Sequence, residues 1–332
     1  MKAPKFWWHD QSSPGIAARL LSPLSVLYGA ESVRRIDKTA EIYKSTLPVI
    51  CIGNLIAGGT GKTPTALLVA QRLTQLGHNP AILSRGYGGS LAGPVKVNPA
   101  HHTPDQVGDE PLLLAAHTSV YIARDRAAGA KWIEQDRQTT HIILDDGFQN
   151  PALHKDISLI VMDAGRGFGN GKLIPAGPLR EPVAHGLARA QAVLAIGNEA
   201  QACLDRSIPA EFKHLTQLTG RLEPGPESLW LAGQRVTAFC GIGSPEKFFD
   251  TVRSLGAELV GSFAFPDHHK LKPQELLLIE RHKTKTQSIV VTTEKDAVKL
   301  PATARGNVMT VRVDLQLDQP DLLDDLLKQV QS

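Results

Sequence analysis

Cysteines are scarce in this sequence and form no pattern. The three that occur, Cys51, Cys203 and Cys240, are far apart, and none belongs to a C-x-x-C pair. A disulfide framework or a structural zinc site needs several cysteines at short spacing, so neither is indicated. A reducing, cytoplasmic setting is therefore expected.

Long apolar runs and a strong excess of charge are also absent. The uncharged stretch at residues 20–30 contains a proline and a glycine, whereas a membrane-spanning helix needs about 20 apolar residues. No apolar core with a small-residue cleavage site indicates a secretory signal. A net charge of +3 over 332 residues is too small to indicate nucleic-acid binding. With 42% hydrophobic and 21% charged residues, the chain has the composition of an ordinary globular protein.

The first 46 residues differ from the rest in charge and in aromatic content. They hold seven basic and four acidic residues and two of the four tryptophans. Apolar residues recur at roughly helical spacing from Ile16 to Tyr28, with Pro23 among them. One interpretation is an amphipathic helix that lies on an anionic membrane surface. The other is a helix that packs on the protein's own core, and the residues alone leave both open.

A glycine-rich stretch, residues 53–63, lies between an apolar strand at 48–52 and a helix at 64–76, and we call it the phosphate loop. Backbone N–H groups at a helix N-terminus favour an anion, and glycines allow close approach. Gly58, Gly59, Thr60 and Gly61 are expected to surround the phosphates, with Lys62 on the β- and γ-phosphates and Thr63 on Mg²⁺.

The usual pattern of such a loop, G-x-x-x-x-G-K-[ST], has glycine at the position of Ile56. The alternative interpretation is an ordinary glycine-rich turn with a surface lysine.

Charged residues follow several of the other predicted strands. Asp145 and Asp146 end an apolar strand at 141–146, where a carboxylate holds Mg²⁺ or its water shell. Arg85 follows a strand at 79–83 and could pair with a phosphate, or it is a solvent-facing turn arginine. Arg124 comes directly after a strand at 120–123.

Two further segments could take part in chemistry but also have structural explanations. Asp109 and Glu110 lie at a helix start, where the helix dipole favours acids whatever the function. Asp267, His268 and His269 end a strand, but adjacent histidines cannot easily face one metal. Residues 293–296 fit a capped helix start.

The alternation of strands and helices predicts an α/β protein. We expect a P-loop NTPase-like α/β/α domain over 47–217, with 192–196 as its last strand. The glycine- and proline-rich stretch 218–226 is the best candidate for a boundary. Beyond it, the alternation repeats and predicts a smaller α/β domain over 218–332. Residues 1–46 form the N-terminal amphipathic segment. These patterns together indicate a nucleotide- and Mg²⁺-dependent phosphoryl-transfer or switch protein and no substrate.

The ordered sequence blocks resemble the tetraacyldisaccharide 4'-kinase family, the lipid A 4'-kinases of Gram-negative bacteria. The resemblance extends from Phe6 to about Leu300, and the phosphate loop, with Ile56, has the family's own pattern. The matching blocks are GNLIAGGTGKTP (53–64), LSRGYGG (83–89), GDEP (108–111), ARDR (123–126), LDDGFQ (144–149), GPLREP (177–182), FCGIGSPEKF (239–248), FPDHH (265–269) and TTEKDAVK (292–299).

The resemblance implies transfer of the γ-phosphoryl group of ATP to the 4'-hydroxyl of a tetraacylated glucosamine disaccharide 1-phosphate. The product would be lipid IVA, made by a peripheral enzyme at the cytoplasmic face of the inner membrane, with no protein partner inferred. For single residues the resemblance implies these roles: Asp109 as general base paired with His268, Lys62 and Asp145 in catalysis, Thr63, Glu110 and Asp146 around Mg²⁺, and Arg85 or Arg124 on the phosphates.

Two competing classes remain at this stage. A membrane-recruited switch ATPase of the partitioning type shares the G-G-x-G-K-T loop, but its lysine before the glycine pair is Ala57 here. Such a switch also gives no role to His268 or to the second α/β unit. A soluble small-molecule kinase leaves the aromatic, basic N-terminus unexplained.

Overall fold

The apolar runs of the sequence form a parallel sheet that is buried on both faces. The structure is a computed structural model of the 332-residue chain, and it describes residues 3–38, 41–266 and 269–330. In the strand before the phosphate loop, Val49 and Cys51 belong to one core cluster, whereas Ile50 and Ile52 belong to another. Strands covered on both faces by other layers have this continuous apolar character.

The strands alternate with helices along most of the chain. In order, the strands are β1 (Val49–Gly53), β2 (Pro80–Ser84), β3 (Val95–Lys96), β4 (Ser119–Ile122), β5 (His141–Asp145), β6 (Ile157–Asp163), β7 (Ala192–Ile196), β8 (Thr216–Pro224), β9 (Arg235–Cys240), β10 (Glu258–Ala264), β11 (Ile289–Thr293), β12 (Met309–Val311) and β13 (Val313–Leu317).

The helices are α1 (Ile16–Asp37), α2 (Lys62–Gln75), α3 (Pro104–Val107), α4 (Asp109–Ala115), α5 (Arg126–Ile133), α6 (Val183–Leu187), α7 (Ala200–Ser207), α8 (Pro245–Ser254), α9 (Pro273–Thr286), α10 (Glu294–Ala297), α11 (Ala302–Arg305) and α12 (Pro320–Lys328). Short 3₁₀ helices cover Lys5–Trp8, Ala210–Phe212 and Pro226–Leu231.

Two sheets organise the described residues. The larger has nine strands in the order β13-β8-β7-β6-β1-β5-β2-β4-β3. Neighbours from β8 to β4 are parallel, and the edge strands β13 and β3 are antiparallel to theirs. The smaller sheet has four parallel strands in the order β10-β9-β11-β12. The expected fold class, an α/β protein with a phosphate-loop unit and a smaller α/β unit, is confirmed.

The end of the chain returns to the larger sheet. The stretch 218–226, expected as a boundary, lies mostly in β8, which pairs with β7 and, along its other edge, with β13. Leu323, Leu326 and Leu327 of α12 belong to the same core cluster as Ile50. Two chain segments therefore lead to the second unit and back, and they are hydrogen-bonded to each other where the Gly225 N–H donates to the Arg312 carbonyl oxygen.

The long N-terminal helix α1 faces the protein with small residues and the outside with large apolar ones. Its buried positions are Ala18, Ser25, Gly29, Ser32 and Ile36, whereas Ile16 and Leu20 are 78% and 74% exposed. A Cβ at Gly29 would lie 2.5 Å from Cδ1 of Leu173, so the helix approaches its support closely. Pro23 lies within the helix without ending it. Among the described residues, no helix has the length and apolar character of a membrane span.

Packing of α12 against the larger sheet predicts a stability effect far from the phosphate loop. Leu326 is 3% exposed and Leu322, on the same helix, is 38% exposed. Leu326→Ala should lower the free energy of unfolding by about 2–4 kcal/mol because it leaves a cavity in the core. Leu322→Ala is the matched control and should change it by roughly 0.5 kcal/mol or less. Urea denaturation followed by circular dichroism measures both, and equal effects would show that α12 is not part of this core.

Candidate active site

The phosphate loop lies at the carboxyl edge of the larger sheet, between β1 and α2. Gly58 and Gly61 have φ angles of +117° and +94°, which side-chain-bearing residues rarely adopt. A Cβ on Gly58 or Gly59 would meet no atom within 4 Å, so this side of the loop is open. Lys62 is the first residue of α2. The loop therefore presents backbone and a helix N-terminus to an open space that suits an anion.

Ile56, at the position of the usual first glycine, is held by the proline-rich segment, residues 175–182. Ile56 pairs with Leu179 in an isolated antiparallel bridge and is 2% exposed. On either side, the Ala57 N–H donates to the Pro178 carbonyl oxygen and the Arg180 N–H to the Leu55 carbonyl oxygen, both at 2.8 Å. The first arm of the loop is thus paired like a strand, and its buried isoleucine fills space that glycine would leave empty.

Two cations meet at Asp146. Nζ of Lys62 lies 3.6 Å from Oδ1 of Asp146, and the Arg180 guanidinium donates to the same oxygen at 3.0 Å. Burial acts to raise the pKa of Asp146, but Lys62 and Arg180 outweigh it and the pKa is lowered. Asp146 also has a φ of +49°, which is uncommon for a residue with a side chain and concentrates at functional sites. Asp146 is therefore held ionised beside the phosphate loop.

Asp145, one residue earlier, is buried at the end of β5. Its carboxylate accepts a 3.4 Å hydrogen bond from the Ser84 hydroxyl. Burial raises the pKa of Asp145 to about 7, and the negative charges of Glu110 and Asp146 add to this effect. Three carboxylates from two parts of the chain, Glu110 and the adjacent Asp145 and Asp146, therefore influence one another at this edge of the sheet.

These oxygen donors fit a hard cation such as Mg²⁺. Thr63 in the first turn of α2, Asp145, Asp146 and Glu110 all offer oxygen. Burial is the main cause of the raised pKa of Asp145, and a divalent cation would offset the repulsion from Glu110 and Asp146 that adds to it. Within the described residues, no three His, Cys, Asp or Glu side chains form a complete metal site by themselves. Mg²⁺ does not need one, because it keeps several waters and binds through substrate phosphates.

The arginines near the site occupy different environments. Arg85 is exposed, and Arg124 donates to the carbonyl oxygens of Gly89 and Ser90 at 3.3 and 3.4 Å. Arg126, to which the sequence analysis gave no role, is buried, and its Nε has no hydrogen-bond partner within the described residues. Burial lowers the pKa of Arg126, with Arg85 contributing, whereas Asp145 and Asp146 act in the opposite direction. Arg126 is therefore a buried cation in the field of both aspartates.

The second unit contacts the same edge of the larger sheet. Nζ of Lys295, at the start of α10, lies 3.6 Å from Oε1 of Glu110, and Glu294 lies 3.5 Å from His117. Nζ of Lys247, in α8, donates to Asp163 at the end of β6 at 2.8 Å. Side chains of both units thus meet at this edge of the sheet, and Glu110, next to Asp109, lies at that contact.

Of the predicted catalytic pair, the structure describes Asp109 but not His268. Asp109 is 8% exposed, and its Oδ1 accepts a 3.1 Å hydrogen bond from the Glu110 N–H. Lys270 forms an ion pair with Asp105, four residues before Asp109. The Asp109–His268 pair stays a prediction.

Three residues in or beside the phosphate loop, Asn54, Gln149 and Glu181, were not identified individually from the sequence. The Asn54 side chain donates to the Gly58 carbonyl oxygen and the Thr60 hydroxyl at 3.3 and 3.2 Å, across the loop. Gln149 donates to the Asn54 carbonyl oxygen at 2.8 Å and to buried Glu181 at 3.0 Å. Their only sequence signal was membership in the matching blocks. The hydrogen bonds of these three residues support the backbone of the phosphate loop.

The sequence and the fold of this chain are both similar to those of known proteins, and these proteins belong to one family. The family model described as tetraacyldisaccharide-1-P 4'-kinase matches residues 17–331. Proteins named tetraacyldisaccharide 4'-kinase from Rhodospirillum centenum and Jannaschia sp. (strain CCS1) are each 48% identical to this chain, over 98% and 99% of it and 96% and 99% of their own lengths. An "apo" form of LpxK from Aquifex aeolicus in complex with ATP is similar in structure, with a TM-score of 0.76 and 26% identity, over 96% of this chain and 100% of that one.

The raised pKa of Asp145 predicts a pH-dependent stability difference. With a pKa of about 7 in the folded protein and about 3.9 in the unfolded chain, this carboxyl stabilises the fold below about pH 4. That stability is lost as the pH rises to about 7. Asp145→Asn cannot titrate, so its free energy of unfolding should rise relative to the parent across this range, by up to about 1.4 kcal/mol per pH unit.

Urea denaturation of parent and Asp145→Asn at several pH values from 5 to 8, with EDTA present to remove divalent cations, measures this difference. A difference that does not change with pH would contradict the assignment of a raised pKa to Asp145.

Proposed function

The chain belongs to the tetraacyldisaccharide-1-P 4'-kinase family, and on that basis we propose which of its residues perform the reaction. It is an ATP-dependent kinase that phosphorylates the 4'-hydroxyl of tetraacyldisaccharide 1-phosphate, a step of lipid A biosynthesis. The residue assignment is best supported by three features that lie together at one edge of the larger sheet. They are the open phosphate loop, Asp146, and Glu110 of the GDEP block (108–111). The switch-ATPase alternative is not favoured.

The phosphate loop is proposed to bind the ATP triphosphate. Backbone N–H groups around Gly58, Gly59, Thr60 and Gly61 face the phosphates, and Lys62 moves from Asp146 to the β- and γ-phosphates when ATP arrives. Arg85 and Arg124 approach from the neighbouring strand ends. Most of the catalytic effect of such a site is electrostatic, because negative charge redistributes over the transferring group.

Asp109 is proposed as the general base that takes the proton of the sugar hydroxyl. Asp109 begins α4, next to Glu110, which contacts Lys295 of the second unit, so it lies close to where an acceptor between the two units would bind. His268 is proposed to orient Asp109 and share the proton, and the contact of Lys270 with Asp105 brings the segment after His268 close to the start of α4. General-base help of this kind contributes about 10²- to 10⁴-fold in rate.

Thr63, Glu110 and Asp146 are proposed to hold Mg²⁺, with buried Asp145 supporting them. When bound, Mg²⁺ would neutralise phosphate charge and hold the phosphate oxygens in position. Nζ of Lys295 lies 3.6 Å from Oε1 of Glu110, so Glu110 would exchange this partner for Mg²⁺.

Helix α1 is proposed to bind the cytoplasmic face of the inner membrane. Its outward face has Ile16, Leu20, Leu24 and Leu27, all more than half exposed, and Arg34 and Arg35 lie in its last turn. The acyl chains of the substrate leave a bilayer only at high cost in free energy, so the enzyme has to work at the surface. This arrangement favours the interfacial interpretation of the N-terminal helix over the core-packing one.

Asp109→Asn should lower kcat by about 10²- to 10⁴-fold and leave the KM for ATP within a few fold, because the amide cannot accept the proton. The measurement is transfer of labelled phosphate to the lipid disaccharide. Asp321→Asn is the matched control: this exposed acid also lies in the first turn of a helix, α12, and its kcat should stay near the parent value. Parental turnover in Asp109→Asn would refute the base assignment.

The triple substitution Leu20→Ser, Leu24→Ser and Leu27→Ser should reduce cosedimentation with phosphatidylglycerol-containing vesicles by at least about tenfold, since each leucine contributes over 1 kcal/mol of apolar burial. The control is Leu277→Ser with Leu278→Ser, because these leucines of α9 are 51% and 55% exposed. Equal loss in both variants, or no loss in the first, would reject α1 as the membrane-binding element.

A further inference from the structure

A continuous set of polar contacts connects the end of α1 with the phosphate loop. Asp37, the last residue of α1, lies 2.9 Å from Nε2 of His185. Nδ1 of the same ring lies 2.8 Å from Glu181. Glu181 in turn accepts a hydrogen bond from Gln149, which donates to the Asn54 carbonyl oxygen in the phosphate loop. Three side chains, each in contact with the next, thus lie between Asp37 of the N-terminal helix and the loop backbone.

The same contacts reach Lys62. Oε1 of Gln149 accepts a 3.3 Å hydrogen bond from Arg180, whose guanidinium also donates to Asp146, the partner of Lys62. Helix α1 touches this arm as well, because the Ser32 hydroxyl donates to the Arg180 carbonyl oxygen at 2.9 Å. The helix therefore contacts both the side chains and the backbone that hold the loop.

Glu181 is the centre of this set and is well suited to hold a fixed position. It is completely buried, and its carboxylate is shared by Gln149, His185 and Arg189. Arg189 in turn lies over the Phe148 ring at 4.4 Å and donates to the Phe148 carbonyl oxygen. A buried carboxylate that loses one of these partners is costly, so a change at His185 alters the balance of the others.

The helix itself is held weakly in water. The residues it buries against the protein are small except for Ile36, so this face contributes little apolar burial. Its large apolar residues Ile16, Leu20, Leu24 and Leu27 are exposed, and a lipid surface would bury them. Docking on lipid therefore restrains α1, and with it Asp37, more firmly than the protein alone does.

From these contacts we infer that the seating of α1 on a lipid surface is coupled to the phosphate loop through Asp37, His185, Glu181 and Gln149. Glu181 and His185 act as positioning residues: they hold Gln149 against the Asn54 carbonyl and Arg180 against Asp146. A lipid surface then raises turnover as well as local substrate concentration. This inference rests on the proposed membrane binding of α1.

The experiment uses a water-soluble acceptor, the deacylated disaccharide 1-phosphate, which vesicles do not concentrate. An effect of vesicles on its phosphorylation then comes from binding of α1 to lipid and not from a higher local concentration of substrate. Its phosphorylation by the full chain is measured at saturating ATP and Mg²⁺, with and without vesicles of phosphatidylethanolamine and phosphatidylglycerol. The vesicles should raise kcat by about fivefold, as expected for one gained hydrogen bond. The KM for ATP should change less than twofold. Vesicles that bind the protein without raising kcat would overturn the coupling.

Asp37→Asn should lose this stimulation while still cosedimenting with the vesicles. Glu31→Gln is the matched control, because Glu31 is an equally charged, exposed residue on the same helix that pairs with Arg34. Its stimulation should be unchanged, and Asp37→Glu should recover part of the lost effect. Equal loss in Asp37→Asn and Glu31→Gln would overturn the inference in favour of a simple surface-charge effect.

A double-mutant cycle tests the order of the contacts. In Glu181→Gln the stimulation should already be lost, and adding Asp37→Asn should lower kcat no further. Additive losses would contradict a shared set of contacts. Should Glu181→Gln fail to fold, as judged by circular dichroism, the Asp37 and Glu31 variants still decide the question. Failure of the proposed function would look different, since the parent itself would show no transfer or no vesicle binding.

Discussion

The pairing of the phosphate loop with the proline-rich segment is the constraint on which the rest of the site depends. A loop that opens its backbone to phosphate needs other partners to keep its shape, because unpaired buried backbone groups are costly. Here Ile56 pairs with Leu179, and Asn54 bridges the loop from inside. Gly58 and Gly59 lie on the open side of the loop, where a ligand can approach, whereas the first arm of the loop is held in place by the pairing of Ile56 with Leu179.

Charge balance at the strand ends follows from this arrangement. Asp146 has two cationic partners, Lys62 and Arg180, whereas Asp145 is buried near other carboxylates. The two adjacent aspartates therefore have pKa values shifted in opposite directions. In the proposed function, a divalent cation would offset this negative charge and a triphosphate would draw Lys62 away, so each would favour the other's binding.

Structural features that depend on neighbouring residues could be predicted from the sequence. Apolar runs predicted strands such as β1 and β5, and glycine spacing predicted the phosphate loop between β1 and α2, because these signals come from neighbouring residues. Pairing at long sequence separation was not predictable: β8 and β13 join across the whole second unit, and the prolines and glycines of 218–226 concealed β8. Gln149 and Glu181 were missed for the same reason, since their partners are distant in sequence.

Helix α1 combines an exposed apolar face with polar contacts near its C-terminal end. A membrane anchor alone needs only a flexible link to its enzyme, yet Ser32 and Asp37 contact the arm and the side chains that hold the phosphate loop. Small residues on the protein-facing side allow this close approach, at the expense of the apolar burial that larger ones would provide. The sequence of α1 thus favours close contact over apolar burial, and in the proposed coupling a lipid surface supplies the missing restraint.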